Sequence, residues 1–221
     1  MFSGELGLYI LMVPVLLISL TIHEFSHGYI AYRLGDMTAK NEGRLSLNPL
    51  KHLDPIGTIM MIVARVGWAK PVPVNPYFFK DRKKGMMLVS VAGPLSNIIM
   101  AFTGVLLFQI SAYSFYDIIV SGSKPILYVL DFLQLFFVAN LNLAIFNLLP
   151  IPPLDGSKIL SGVLPTETYF RYMQHERTIG MVFLVVVVVF PGVLGNILGF
   201  FTNPIASSMI WMSNKIIGLF L

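Results

Sequence analysis

Four stretches of this chain, residues 6–22, 85–116, 132–154 and 178–214, contain no Asp, Glu, Lys or Arg. In hydrocarbon every backbone N–H and C=O must be satisfied within the segment, so such runs cross a membrane as helices, about 20 residues at a time. The first run extends as helix through His27 toward Arg33 and makes one pass, and the second and third make one each. The fourth is too long for one pass and is interrupted by Pro191-Gly192 and Asn203-Pro204, which divide it into two. The expectation is an all-α polytopic membrane protein with about five to six transmembrane helices. Composition agrees: 56% of the residues are hydrophobic and only 12% charged, roughly half the charged fraction of about 25% in ordinary soluble domains.

Orientation follows from the basic residues. Residues 33–84 hold ten of the fifteen Lys and Arg and residues 154–177 three more, whereas the loop near Ser121 has only Lys124. With five passes the two basic segments share one side, which the positive-inside rule makes cytoplasmic. The formal charge of +4 is then topogenic and implies no nucleic-acid partner. No Lys or Arg precedes the first run, which argues against a cleaved signal peptide. There are no cysteines, so disulfides, thiolate ligands and a cysteine nucleophile are excluded.

Against this apolar background stands Thr21-Ile22-His23-Glu24-Phe25-Ser26-His27-Gly28. Histidines four apart share a helix face, and a carboxylate beside the first reaches what the imidazoles hold. The pattern is a zinc site in outline, with Glu24 suited to be the general base for a metal-activated water. Ionisable groups at membrane depth are costly and hence functional far more often than not. Two ligands leave a third to be found. Asp155 follows Leu149-Pro150-Ile151-Pro152-Pro153-Leu154, which breaks the third helix. It suits a ligand and equally a helix N-cap. Asp131 belongs near the opposite membrane face.

The chain reads as one domain over 1–221. It comprises a first helix to residue 34 with the His-Glu motif, a cytoplasmic-side segment 35–84, a second helix 85–116, a third helix with the Leu-Asp-Gly element over 125–165, and C-terminal helices over 176–221. Segment 35–84 is punctuated by Asn48-Pro49, Asp54-Pro55 and Lys70-Pro71-Val72-Pro73-Val74-Asn75-Pro76, the signature of turns and extended backbone. Its ten uncharged residues 55–64 are too few to span and read as a re-entrant or interfacial piece against the metal site. His52 is more readily a hydrogen-bonded turn residue than a ligand, and His175-Glu176-Arg177 an interfacial cluster. Asn97, in the small-residue stretch Gly93-Pro94-Leu95-Ser96-Asn97, either packs and bonds to a neighbouring helix or enters the active site, and Gly104 supports close packing.

His23-Glu24-Phe25-Ser26-His27, Gly93-Pro94-Leu95-Ser96-Asn97 and Asn147-Leu148-Leu149-Pro150-Ile151-Pro152-Pro153-Leu154-Asp155-Gly156, in that order on three membrane segments, closely resemble the site-2 protease family of intramembrane zinc metalloproteases. Gly67 to Pro76 resembles its short prokaryotic members. The resemblance implies one Zn²⁺ held by His23, His27 and Asp155, Glu24 as catalytic base, and Asn147 as the asparagine that holds substrate or the oxyanion. It further implies a membrane-protein substrate cleaved in or near its transmembrane helix, with the enzyme in a prokaryotic cell membrane; the basic segments put its site toward the cytoplasm. The chain departs from many relatives in having no room for a PDZ module and no CBS domain after the last helix. Two alternatives use the same residues: a metal transporter or channel, which gives Glu24 no distinct task, and a proteolytically silent relative that binds transmembrane segments.

Overall fold

The computed structural model describes residues 4–57 and 69–219. Its helices are α1 (Gly4–Arg33), α2 (Thr38–Asn41), α3 (Arg82–Ser114), α4 (Tyr116–Val120), α5 (Lys124–Leu148), α6 (Asp155–Val163), α7 (Thr166–Gln174), α8 (Glu176–Val189) and α9 (Pro191–Ile217). Among the described residues there is no strand, only an isolated bridge between Leu53 and Ala69. Among the described residues four helices, α1, α3, α5 and α9, are long and apolar enough to cross a membrane. A fifth crossing is made if α7 and α8, bent by 59° at His175, count as one, so the described residues provide four or five crossings against the five to six expected.

Three boundaries show their local cause. α1 stops at Gly35, whose φ of 106° suits a residue without Cβ. Asp81 caps α3, its Oδ1 accepting from the N–H groups of Lys83 and Lys84 at 3.0 Å each. Pro150, Pro152 and Pro153 end α5 and force the turn into α6.

One expected break does not occur. α8 and α9 part at Phe190, before Pro191, but α9 runs unbroken through Pro204. Pro204 deletes a single N–H donor, and in an apolar surrounding abandoning the rest of the helical ladder would strand many more groups. Pro191 can start a new helix at no such cost, because the first turn has no intrahelical partner for its N–H.

α1, α3 and α5 form the central bundle, and α9 packs across α3 and α5 through Ala101, Val105, Phe137, Leu141, Ile145 and Met209. A Cβ on Gly104 would lie 3.1–3.3 Å from Phe136 and the Phe137 backbone, so the missing side chain sets how closely α3 and α5 approach. On the periphery Met181, Val182, Leu184, Val185, Val188 and Val189 of α8 are exposed, as a lipid-facing helix requires.

Of the expected re-entrant piece, residues 58–64 lie outside the described residues, as do Gly67 and Trp68 of the proline-rich stretch. What is described, residues 69–75, is extended and held by side chains. Arg44 Nη2 donates to the carbonyls of Lys70 (2.8 Å) and Pro71 (3.1 Å). Asp36 Oδ2 accepts from Asn75 N at 2.6 Å, and Glu24 Oε2 accepts from Val72 N at 2.8 Å.

Candidate metal centre

Helical periodicity places His23 and His27 on one face of α1, and tertiary packing buries that face: the residues are 5% and 8% exposed. Asp155, 9% exposed, comes in from the first residue of α6. Nε2 of His23 and Nε2 of His27 lie 3.0 Å apart, and each is 3.1 Å from Oδ2 of Asp155. These three atoms make a nearly equilateral triangle. A tetrahedral zinc with bonds of roughly 2.0–2.1 Å would need ligand–ligand edges of about 3.3 Å, so the triangle is within a few tenths of an ångström of one tetrahedral face.

The chemistry of the donors points the same way. Nδ1 of His27 lies 2.7 Å from the Val89 carbonyl oxygen, which can only accept, so in the neutral ring Nδ1 carries the proton and Nε2 presents a lone pair. Nδ1 of His23 meets Oδ1 of Asn97 at 2.5 Å, an outer contact of the kind that orients a metal-binding imidazole. Lone pairs and a carboxylate converging at 3 Å in a buried place repel each other unless a proton or a metal cation lies between them. The residues therefore fit a zinc ion, with three protein donors and a fourth direction left open.

The second and third transmembrane helices complete the cradle. Val89, Gly93 and Asn97 fall at i, i+4 and i+8 on α3 and so share its inner face. A Cβ on Gly93 would stand 2.5 Å from Nε2 of His27 and 2.6 Å from Nε2 of His23, so only glycine lets α3 cover the imidazoles. Asp155 is positioned by the proline turn: α6 has Leu154 as its N-cap residue and no side-chain cap. Of the two readings of Asp155, the capping one is thus not realised, because its carboxylate faces the histidines.

Glu24 is half-buried and tied to the extended segment through Val72 N. Gly28, one turn on, gives that segment room, since a Cβ there would be 3.0 Å from Cγ1 of Val72. Asn147 has its Nδ2 donating to the Leu143 carbonyl of its own helix at 2.9 Å. His52 is also apart, fully buried with Nε2 donating to the Ser46 carbonyl at 2.6 Å. His175 is exposed at the α7–α8 bend. Arg44 and Asp36, which hold the extended segment against Glu24, were not singled out from the sequence. Their signal was faint: Arg44 stands among exposed basic residues, and Asp36 beside a helix-ending glycine.

Residues 11–190 match the model of peptidase family M50. The chain belongs to this family, that of the site-2 proteases. It is 43% identical over 202 residues to YwhC of Bacillus subtilis, which is named a zinc metalloprotease, covering 90% of this chain and 84% of that one. Rip2 of Mycolicibacterium smegmatis, likewise named, is 34% identical over 191 residues, 84% of this chain and 69% of its own. A zinc metalloprotease of Methanocaldococcus jannaschii is 31% identical over 163 residues, 74% of this chain but 36% of its own length. No solved structure matches significantly. This M50 member is thus an integral membrane metalloprotease by family and architecture.

Proposed function

We propose that this chain hydrolyses peptide bonds within or near the transmembrane helices of other membrane proteins, using one zinc ion held by His23, His27 and Asp155. The observation that carries the reading is the convergence of these three donors inside a bundle of membrane helices, next to Glu24. When bound, the metal would polarise the scissile carbonyl and acidify a water at its open position. Glu24 would accept the proton of the attacking water and return it to the departing amide nitrogen. Val72 N–H holds Oε2 of that carboxylate, leaving Oε1 for the transfer. Asn147 would steady the oxyanion with the amide hydrogen that its Nδ2 does not give to the Leu143 carbonyl.

A helical substrate hides its scissile bond in i to i−4 hydrogen bonds and must unwind to react. The extended backbone of residues 69–75 offers an edge for the unwound chain, and Val74 is the residue to probe, since Val72 N–H serves Glu24. Val74→Pro should slow cleavage of every substrate at unchanged zinc content. The candidate ligands lie near the end of α1 and at the start of α6, next to the basic segments 33–84 and 154–177. This supports an active site toward the cytoplasm of a prokaryotic cell membrane.

The test is reconstitution in lipid with single-pass substrates. Wild type should cleave and Glu24→Gln should retain zinc but lose at least about 10²-fold in rate. Equal cleavage by both forms would refute the assignment of Glu24. Metal flux through the wild type without cleavage would refute the protease reading in favour of a transporter.

A further inference from the structure

The contact between His23 and Asn97 does not by itself say which partner donates, because an amide can offer either its oxygen or its nitrogen. The answer lies one helix further away. Asn140 of α5 is fully buried, and its Nδ2 lies 2.8 Å from the Phe136 carbonyl oxygen. A carbonyl can only accept, so Asn140 must present its NH₂ to Phe136 and its Oδ1 to the other side. There it receives Nδ2 of Asn97 at 2.8 Å. Asn97, also fully buried, is then obliged to turn Oδ1 toward His23 Nδ1, which can only donate. The neutral imidazole is left with its lone pair on Nε2, the atom that faces His27 and Asp155.

We propose that Asn140 is a positioning residue for the metal centre. Through Asn97 it fixes the tautomer and ring orientation of His23, and so metal affinity is set from α5, a helix that supplies none of the three metal donors. The inference rests on the metal reading above, but it concerns direction of hydrogen bonding rather than proteolysis. The direction has one source, the Phe136 carbonyl, and passes along the chain Phe136 O, Asn140, Asn97, His23 without a choice at any step. Without Asn140, the Asn97 amide is free to rotate and offer Nδ2 to His23. That contact favours the wrong tautomer, with the proton on Nε2 where the metal must bind.

The geometry distinguishes the two ends of each amide, and so does the experiment. Purified full-length protein in detergent is stripped, and Zn²⁺ affinity is read by competition with a chromophoric chelator, with the visible spectrum of the Co²⁺ form as a second readout. Asn97→Leu and Asn140→Leu should weaken zinc binding by about 10–100-fold and alter the Co²⁺ bands. Asn97→Asp and Asn140→Asp lose a donor, toward Asn140 and toward Phe136, but keep an acceptor in each critical place, toward His23 and toward Asn97 respectively, and should bind zinc more tightly than the leucine forms. Asn140→Ala replaces the leucine form if the latter does not accumulate. A purely structural role predicts the reverse order, because a carboxylate buried between helices disturbs packing at least as much as leucine. Unchanged affinity and spectrum in Asn140→Leu or Asn140→Ala would overturn the proposal, as would aspartate variants that bind as weakly as the leucine ones. Neither outcome depends on a cleavage assay, so failure of the protease reading leaves the zinc-affinity result interpretable.

Discussion

At the scale of single residues, the missing side chains are as consequential as those present. Gly93→Ala puts a methyl inside the contact distance of both imidazoles, and the rings must shift because α3 is fixed along its length by α1 and α5. Overpacking of this kind costs about 1–3 kcal/mol, tolerable for the fold but ruinous for a donor triangle whose edges are 3.0–3.1 Å. Gly93→Ala should therefore accumulate in the membrane with at least about tenfold weaker zinc binding, checked by chelator competition beside a melting curve. Gly156→Ala should behave differently. Its Cβ would strike the backbone carbonyls of Leu148 and Leu149, which cannot swing aside, so the proline turn that presents Asp155 should open and protein yield fall. Gly162→Ala is the control, since the atoms nearest its methyl belong to the flexible Met87 side chain, and it should lose little yield.

At the scale of elements, the extended segment is the part whose geometry depends on side chains rather than on a ladder. Arg44 is 8% exposed and supplies donors to two successive carbonyls. Each such charge-assisted bond contributes about 1.5–3 kcal/mol. Arg44→Ala should release residues 69–75 and, with them, the N–H that holds Glu24. Hydrogen exchange at Val72 and Asn75 should rise by at least about tenfold, while α1 and α3 exchange as before, and kcat should fall with zinc content unchanged. Uniform protection of the segment in the variant would mean that Asp36 and Glu24 suffice to hold it.

For the whole molecule, a metal that binds only the folded state adds stability as RT ln(1 + [L]/Kd), about 4.1 kcal/mol at 1,000 times Kd. Thermal unfolding in detergent should thus shift upward with free zinc in the wild type and stay flat in His27→Ala. Topology can be tested in the intact cell because the chain contains no cysteine, so each introduced one is unique. Ser121→Cys should react with an impermeant thiol reagent from outside. Lys51→Cys and Arg171→Cys, both at exposed positions, should react only after permeabilisation.

The sequence by itself determined that the chain is helical and membrane-spanning, because uncharged runs of 17–37 residues have no other way to satisfy their backbone in lipid. It also determined that His23 and His27 share a face and that Glu24 lies beside them, since a 3.6-residue period is local. It misjudged Pro204, because a proline removes one hydrogen bond in water and in lipid alike but only the surroundings decide whether the helix can continue. Only the tertiary structure decided that Asp155 turns its carboxylate to the histidines instead of capping α6. The same is true of Gly93 covering the imidazoles, of Asn140 directing Asn97, and of Arg44 and Asp36 holding the extended segment beside Glu24. Periodicity says which residues share a helix face, but not which face of another helix comes to meet it. That depends on the rotation and depth at which α1, α3 and α5 pack, set jointly by small residues such as Gly104 and buried amides drawn from three distant stretches of the chain.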